Sequence, residues 1–89
     1  MKISSNDVKV KYLAVSKLIF NAVIMNHNMD IKDIAYKLKL PENQVKTHVN
    51  KLFKAGFLTK SHNKTYQAAN VLKFKAHQDE ELDKYLANN

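Results

Sequence analysis

The amino-acid sequence predicts a mainly α-helical fold with one small β-hairpin. Three observations carry that prediction. Apolar residues recur at helical spacing over 12–25, 31–39 and 42–55. The only proline and the only glycine, Pro41 and Gly56, bracket the third of these stretches. Past Gly56 the pattern changes to short runs about a polar turn, 57–67, before a last helical stretch at 78–87. With 89 residues and neither an internal repeat nor a low-complexity linker, the chain reads as one domain, 1–89.

Residues 1–6 are polar and read as loose, with Ser4 or Asn6 placed to cap the next element. Val8, Val10 and Tyr12 alternate with lysines, so a short strand is open there. From 12 to 25 the period is helical. Val15, Leu18, Ile19, Ala22 and Val23 form one apolar stripe, and Leu13, Phe20 and Ile24 a second. Only a strip around Lys17 and Asn21 is polar. A helix facing one core needs a stripe of about 100°. This wider surface predicts cover on two sides, from its own domain and from either the C-terminal helix or a second subunit.

Asn26, His27 and Asn28 form a loop. Asp30 then reads as the N-cap of a second helix over 31–39, with Asp33 three residues on and Met29 and Ile34 placed as a hydrophobic staple. Its apolar face is Ile31, Ile34, Ala35 and Leu38. A tight turn through Lys39, Leu40 and Pro41 leads into the third helix, 42–55.

Proline suits a helix start, because its φ is already helical and its missing N–H is not needed there. Glycine suits the stop, because the left-handed residue after a helix carries no Cβ penalty only when it is glycine. If Gly56 takes that position, Leu52 and Phe57 are the apolar pair that accompanies such an end. On this helix Val45, Val49, Leu52 and Phe53 fall on one side. Asn43, Thr47, Asn50 and Lys54 fall opposite. Amides, a hydroxyl and an ammonium are groups that base edges and phosphates can pair with.

Phe57 to Ser61 is extended in character, 62–64 is turn-like, and Thr65 to Gln67 can return as a partner strand. Residues 68–76 fit a helix through Val71 and Phe74, or a strand through Leu72 and Phe74. Over 78–87, Leu82, Tyr85 and Leu86 give a helical face, and the acids fall in its first turn, where the helix dipole favours them.

The formal net charge is +7, and all fifteen basic residues are lysines. Asp79, Glu80, Glu81 and Asp83 are half of the acids. Residues 1–78 thus set fourteen lysines against four acids, a net of +10. A basic body with an acidic tail points to a polyanionic partner. A lysine-rich source composition would give the same count. There is no cysteine, hence neither a disulfide framework nor a thiolate metal site. No apolar run approaches the ~18 residues of a membrane span, and no secretory leader is evident. The expectation is a cytoplasmic, intracellular protein that does not engage a membrane. His27, His48, His62 and His77 lack metal-ligand spacing, and His48 reads as a half-buried packing residue. No glycine-rich phosphate loop, nucleophile motif or paired catalytic carboxylates are present. The expectation is therefore no enzyme, no cofactor and no metal.

The segment 30–60 resembles the winged helix-turn-helix family, in particular bacterial and archaeal regulators of the MarR and ArsR type. The matching residues are Ile31, Ile34 and Ala35, then Leu38 and Pro41, then Val45, Val49 and Leu52, then Gly56 and Leu58. About thirty residues match, and about sixty with the first helix and the hairpin. Lys39 stands where the family often has glycine, and the arginines frequent in its third helix and wing are absent.

The resemblance implies a three-helix core plus a wing and a C-terminal helix, with the third helix as a recognition helix in the major groove. Asn43, Gln44, Lys46, Thr47 and Asn50 would then reach base edges. Lys39, Lys51, Lys54 and Lys60 would meet phosphates, with Lys37 and Lys46 also near. His62, Asn63 and Lys64 would lie at the wing tip, along the backbone or in the minor groove. Asn or Gln pairs with adenine and the Thr methyl touches the thymine methyl, so a site leaning to A·T is expected. The function implied is a sequence-specific double-stranded-DNA-binding transcriptional regulator. The expected form is a homodimer through the first helix, the C-terminal helix or both. The alternative is a winged-helix protein-interaction module of a transcription or replication complex. In that case, or on any ordinary helix surface, the same polar row and hairpin tip are simply solvated.

Overall fold

The computed structural model describes residues 5–26 and 28–87, with side chains for 8–26 and 28–84. It contains α1 (Ser5–Met25), α2 (Ile31–Leu38), α3 (Glu42–Lys54), β1 (Leu58–Lys60), β2 (Tyr66–Ala68) and α4 (Val71–Ala87). The two strands form one antiparallel hairpin, with Leu58 opposite Ala68 and Lys60 opposite Tyr66. The fold is therefore mainly helical with a small hairpin.

α1 begins seven residues before the expected 12–25 and absorbs the candidate strand at Val8, Val10 and Tyr12. An added strand there would need a ladder partner; among the described residues the sheet is β1 and β2 alone, and the outer edge of β2 is met at Tyr66 by Met29. Extending the helix satisfies the backbone polar groups locally. Asn6 lies inside the helix and does not cap it; Ser4 lies outside the described residues, as does His27 in the loop after α1.

The expected double cover of α1 is present within the chain. Ile19 and Val23 are fully buried against a core that includes Ile34, Val45, Val49 and Leu58. Phe20, from the second stripe, is stacked on Phe74 of α4 with ring centroids 3.9 Å apart. Leu18 departs from expectation: it is 53% exposed, and Met25 is 80% exposed.

α2 starts as its sequence requires. The Asp30 carboxylate accepts the Asp33 N–H at 2.8 Å, and the Asp33 carboxylate accepts the Asp30 N–H at 3.3 Å. This reciprocal pair satisfies two donors that a helix start leaves free. Met29 and Ile34 are both buried. The Tyr66 N–H also donates to the Met29 carbonyl at 2.9 Å, tying the hairpin to the start of α2. α2 stops one residue before the expected 39. Lys39 itself turns left-handed at φ 57°, and the Leu40 N–H returns to the Ala35 carbonyl at 3.0 Å.

Pro41, at φ −61° and ψ 139°, is the N-cap of α3. The helix ends at Lys54 instead of residue 55, by the mechanism its sequence implies. Gly56 is at φ 86°, the Phe57 N–H donates to the Leu52 carbonyl at 2.9 Å, and the Gly56 N–H to the Phe53 carbonyl at 3.1 Å. These are the two bonds of a Schellman stop. The buried face is Val45, His48, Val49 and Leu52. Phe53, expected there, is 45% exposed, and His48 takes its place.

The hairpin runs to Ala68, one residue past the expected 67. Its turn closes through the Ser61 N–H to the Thr65 carbonyl at 2.9 Å, with Lys64 left-handed at φ 62°. Residues 68–76 divide: the strand ends at Ala68 and α4 starts at Val71. A strand would have put Leu72 and Phe74 on one face. The helix buries Phe74, which also meets Phe57 edge-on at 5.4 Å, and leaves Leu72 82% exposed. α4 is thus seven residues longer than the expected 78–87. Its first turn holds no acid, so the acidic run sits mid-helix and the dipole argument does not apply to it. Of the expected Leu82, Tyr85 and Leu86 face, only Leu82, partly buried, lies among the described side chains.

Candidate nucleic-acid interface

α3 turns one face to the core and the other to solvent. With Val45, His48, Val49 and Leu52 buried, a helical period leaves Asn43, Thr47, Asn50 and Lys54 opposite, and all four are exposed. α4 packs along α1, and of its acidic run Asp79 lines the α1–α4 groove beside Lys17, Lys75 and Phe20. The polar row remains uncovered. The Thr47 hydroxyl is not free, because it donates to the Asn43 carbonyl at 2.9 Å one turn back.

The other candidates are not all in that row. Lys46 is exposed on one flank of α3, and Gln44 is half-buried on the other. Lys51 shares the Gln44 flank, and its ammonium lies 5.1 Å from the centre of the Tyr12 ring on α1. Lys39 is exposed in the turn that feeds α3, and Lys37 is exposed at the end of α2. His62, Asn63 and Lys64 are exposed at the hairpin tip.

Lys60 and Lys64 face a second feature. Together with Lys32, Asp30, Ile31 and Tyr66 they line an open groove of about 410 Å³ between the start of α2 and the hairpin. The Lys60 ammonium lies 5.8 Å from the Tyr66 ring centre. Sequence reasoning misses Lys32. The available signal was its place in the first turn of α2, where a cation opposes the helix dipole.

Behind the exposed row, His48 is buried at 4% exposure and is held by α1. Its Nδ1 is 2.7 Å from the Ser16 hydroxyl, and its ring stacks on Tyr12 at 4.2 Å. Burial pushes the His48 pKa below the ordinary imidazole value, and the Lys51 charge pushes it the same way. Among the described residues no buried side-chain nitrogen or oxygen lacks a hydrogen-bond partner. His48 is therefore a satisfied element of the α1–α3 contact, more deeply buried than its sequence position suggested.

Among the described residues no three His, Cys, Asp or Glu side chains are grouped to hold a metal ion, and no helix is long and apolar enough to cross a membrane. What the surface offers is a row of neutral hydrogen-bonding groups on one helix, flanked by lysines from α2, α3 and the hairpin. No protein-family model, no curated protein and no solved structure matches the chain.

Proposed function

We propose that the chain is a winged helix-turn-helix domain that binds double-stranded DNA sequence-specifically and regulates transcription. In this reading α3 is the recognition helix in the major groove, and the hairpin is the wing. The observation that carries it is the exposed row of Asn43, Thr47, Asn50 and Lys54, directly opposite the buried face of α3. A major groove admits a helix whose outward side chains reach base edges, and Asn is suited to adenine. The absence of arginine removes the commonest guanine contact and favours an A·T-leaning site. The net charge of +10 over residues 1–78 supplies the attraction to phosphate. The reading needs no enzymatic step and no cofactor.

A homodimer would place two recognition helices one turn of DNA apart, about 34 Å. Leu18 and Met25 on α1 and Leu72 on α4 are exposed apolar groups available to such a contact.

The test is a library selection for bound duplexes, followed by anisotropy titrations of the selected site. With ~6 lysines on phosphates, affinity is expected to fall ~10³-fold between about 50 and about 200 mM salt. Asn50→Ala should lose preference for the selected site and Lys54→Ala should weaken all sequences. A flat salt response, with both variants binding as wild type, would remove the proposal. Tyr36, 88% exposed on α2, favours the rival reading as a protein-interaction module. In that case both α3 variants would be silent, and Tyr36→Ala would abolish partner binding.

A further inference from the structure

α4 packs along α1 and leaves a groove of about 380 Å³ between them, within the size range of small-molecule sites. Every residue that lines it belongs to these two helices, so it is separate from the polar row of α3 and from the hairpin. The stacked rings of Phe20 and Phe74 form its floor, and both are almost wholly buried. Core packing therefore fixes the floor.

The two ends of the groove differ. Ile24 follows Phe20 on α1 while Val71 precedes Phe74 on α4, so the helices run antiparallel. Ile24 and Val71 make one end apolar, and both also line the smaller groove beside Gln67 and Ala68. Lys17, Gln78 and Asp79 stand at the other end, with Asn21 and Lys75 between.

Both signs of charge face the groove: Lys17 from α1, and Lys75 and Asp79 from α4. Lys75 and Asp79 are four residues apart, a spacing that allows an ion pair along a helix. Among the described residues they make none, with each other or with Lys17. A plain organic acid would meet the Asp79 carboxylate as a like charge, and a plain amine would meet two lysines. A ligand carrying a carboxylate, an ammonium and an apolar chain on one carbon matches all three charges and the apolar end.

We infer that the groove between α1 and α4 binds a free α-amino acid with a large apolar side chain. The ligand carboxylate accepts from the Lys17 and Lys75 ammonium groups, and its own ammonium donates to the Asp79 carboxylate. Its side chain lies over the Phe20–Phe74 stack toward Ile24 and Val71. The inference goes beyond the DNA-binding reading and does not depend on it.

The experiment is calorimetric titration of the full chain with L-phenylalanine and L-leucine, and with three compounds that each lack one part. Glycine lacks the side chain, 3-phenylpropionate the ammonium and 2-phenylethylamine the carboxylate. A charge-assisted contact or a buried ring is worth roughly tenfold or more in affinity, so each of the three should bind wild type at least about tenfold more weakly than L-phenylalanine. Asp79→Asn should weaken L-phenylalanine about tenfold and leave 3-phenylpropionate no weaker. Lys17→Gln combined with Lys75→Gln should weaken L-phenylalanine and 3-phenylpropionate together and leave 2-phenylethylamine no weaker. These side chains are exposed, and circular dichroism melting of each variant checks the fold. Failure of both apolar amino acids to bind wild type at millimolar concentration would overturn the inference. Binding of 3-phenylpropionate as tight as that of L-phenylalanine would overturn it in favour of a plain organic acid. Amino-acid binding indifferent to all three substitutions would overturn it by putting the ligand elsewhere. None of these outcomes bears on the DNA-binding reading, which the α3 variants test separately.

Discussion

Ser16 of α1 and His48 of α3 are joined by a 2.7 Å contact between hydroxyl and Nδ1, in the buried layer directly behind the exposed polar row. The contact joins α3 to α1 beside the buried Val45, Val49 and Leu52, the face whose burial leaves the polar row to solvent. Removing the hydroxyl leaves a buried imidazole nitrogen without its partner, which costs about 1–3 kcal/mol. Ser16→Ala should therefore lower unfolding free energy by that amount in urea titrations. A variant as stable as wild type would show that the contact contributes nothing net.

The same histidine sets a pH dependence. Burial, and secondarily the Lys51 charge, hold its folded pKa below the unfolded value of 6.5. Below 6.5 the unfolded chain takes up the proton first, so the folded state loses stability as pH falls. The loss starts near pH 6.5 and ends once pH passes the lowered folded value. Tyr12 and Ser16 on α1 face the ring, and neither carries a charge that would offset protonation. Urea midpoints between about pH 8 and about pH 5 should fall in wild type, and fall less in His48→Gln over the imidazole range.

Lys39 and Gly56 occupy equivalent positions after α2 and α3, at φ 57° and 86°, but only one of them is a glycine. Lys39→Gly should stabilise the protein by about 1 kcal/mol by relieving the left-handed strain. Gly56→Ala should destabilise by about 1–2 kcal/mol. A Cβ at Gly56 would meet nothing nearer than the Asn70 amide nitrogen at 4.0 Å, so backbone conformation, not crowding, sets that cost. Denaturation curves of both variants check the pair of opposite signs.

How α4 is anchored decides a third comparison. Phe74 lies between Phe20 and Phe57, whereas Leu72 points to solvent. Phe74→Ala should cost about 3–5 kcal/mol, a large share of a small domain's stability. Leu72→Ala should change it by less than about 0.5 kcal/mol. Thermal melts of the two variants separate the helical arrangement from a strand, which would make both positions costly.

These elements also show which parts of the fold could be read from residues. The ends of α2 and α3 were legible because capping is local: Asp30, Asp33, Pro41 and Gly56 act within a few residues of themselves. The polar row of α3 was legible for the same reason, since a helical period fixes which positions share a face. The beginnings of α1 and α4 were not. Val8 and Val71 lie in stretches whose apolar spacing suits strand or helix, and the choice depends on distant partners: a third strand for Val8 to pair with, and Phe20 for α4 to stack on. Lys32 stands out in the sequence only as a cation in the first turn of α2; its sharing a groove with Lys60 and Lys64 was not legible, because only the folded hairpin brings them beside it.

Thr47 gives the row its sharpest expected readout under the proposed function. Its hydroxyl already donates to the Asn43 carbonyl, so its contribution to a base edge falls to the methyl group. Thr47→Ser keeps the hydroxyl and deletes the methyl. Thr47→Val keeps the methyl and deletes the hydroxyl. A buried methyl-sized group is worth about 0.8 kcal/mol, or roughly fourfold in affinity. Affinity for a duplex with thymine at the contacted position should therefore fall about fourfold in Thr47→Ser and stay near wild type in Thr47→Val. Replacing that thymine with uracil should weaken wild type equally and leave Thr47→Ser unaffected. The opposite ordering of the two variants would assign the readout to the hydroxyl, and would require it to leave the Asn43 carbonyl on binding.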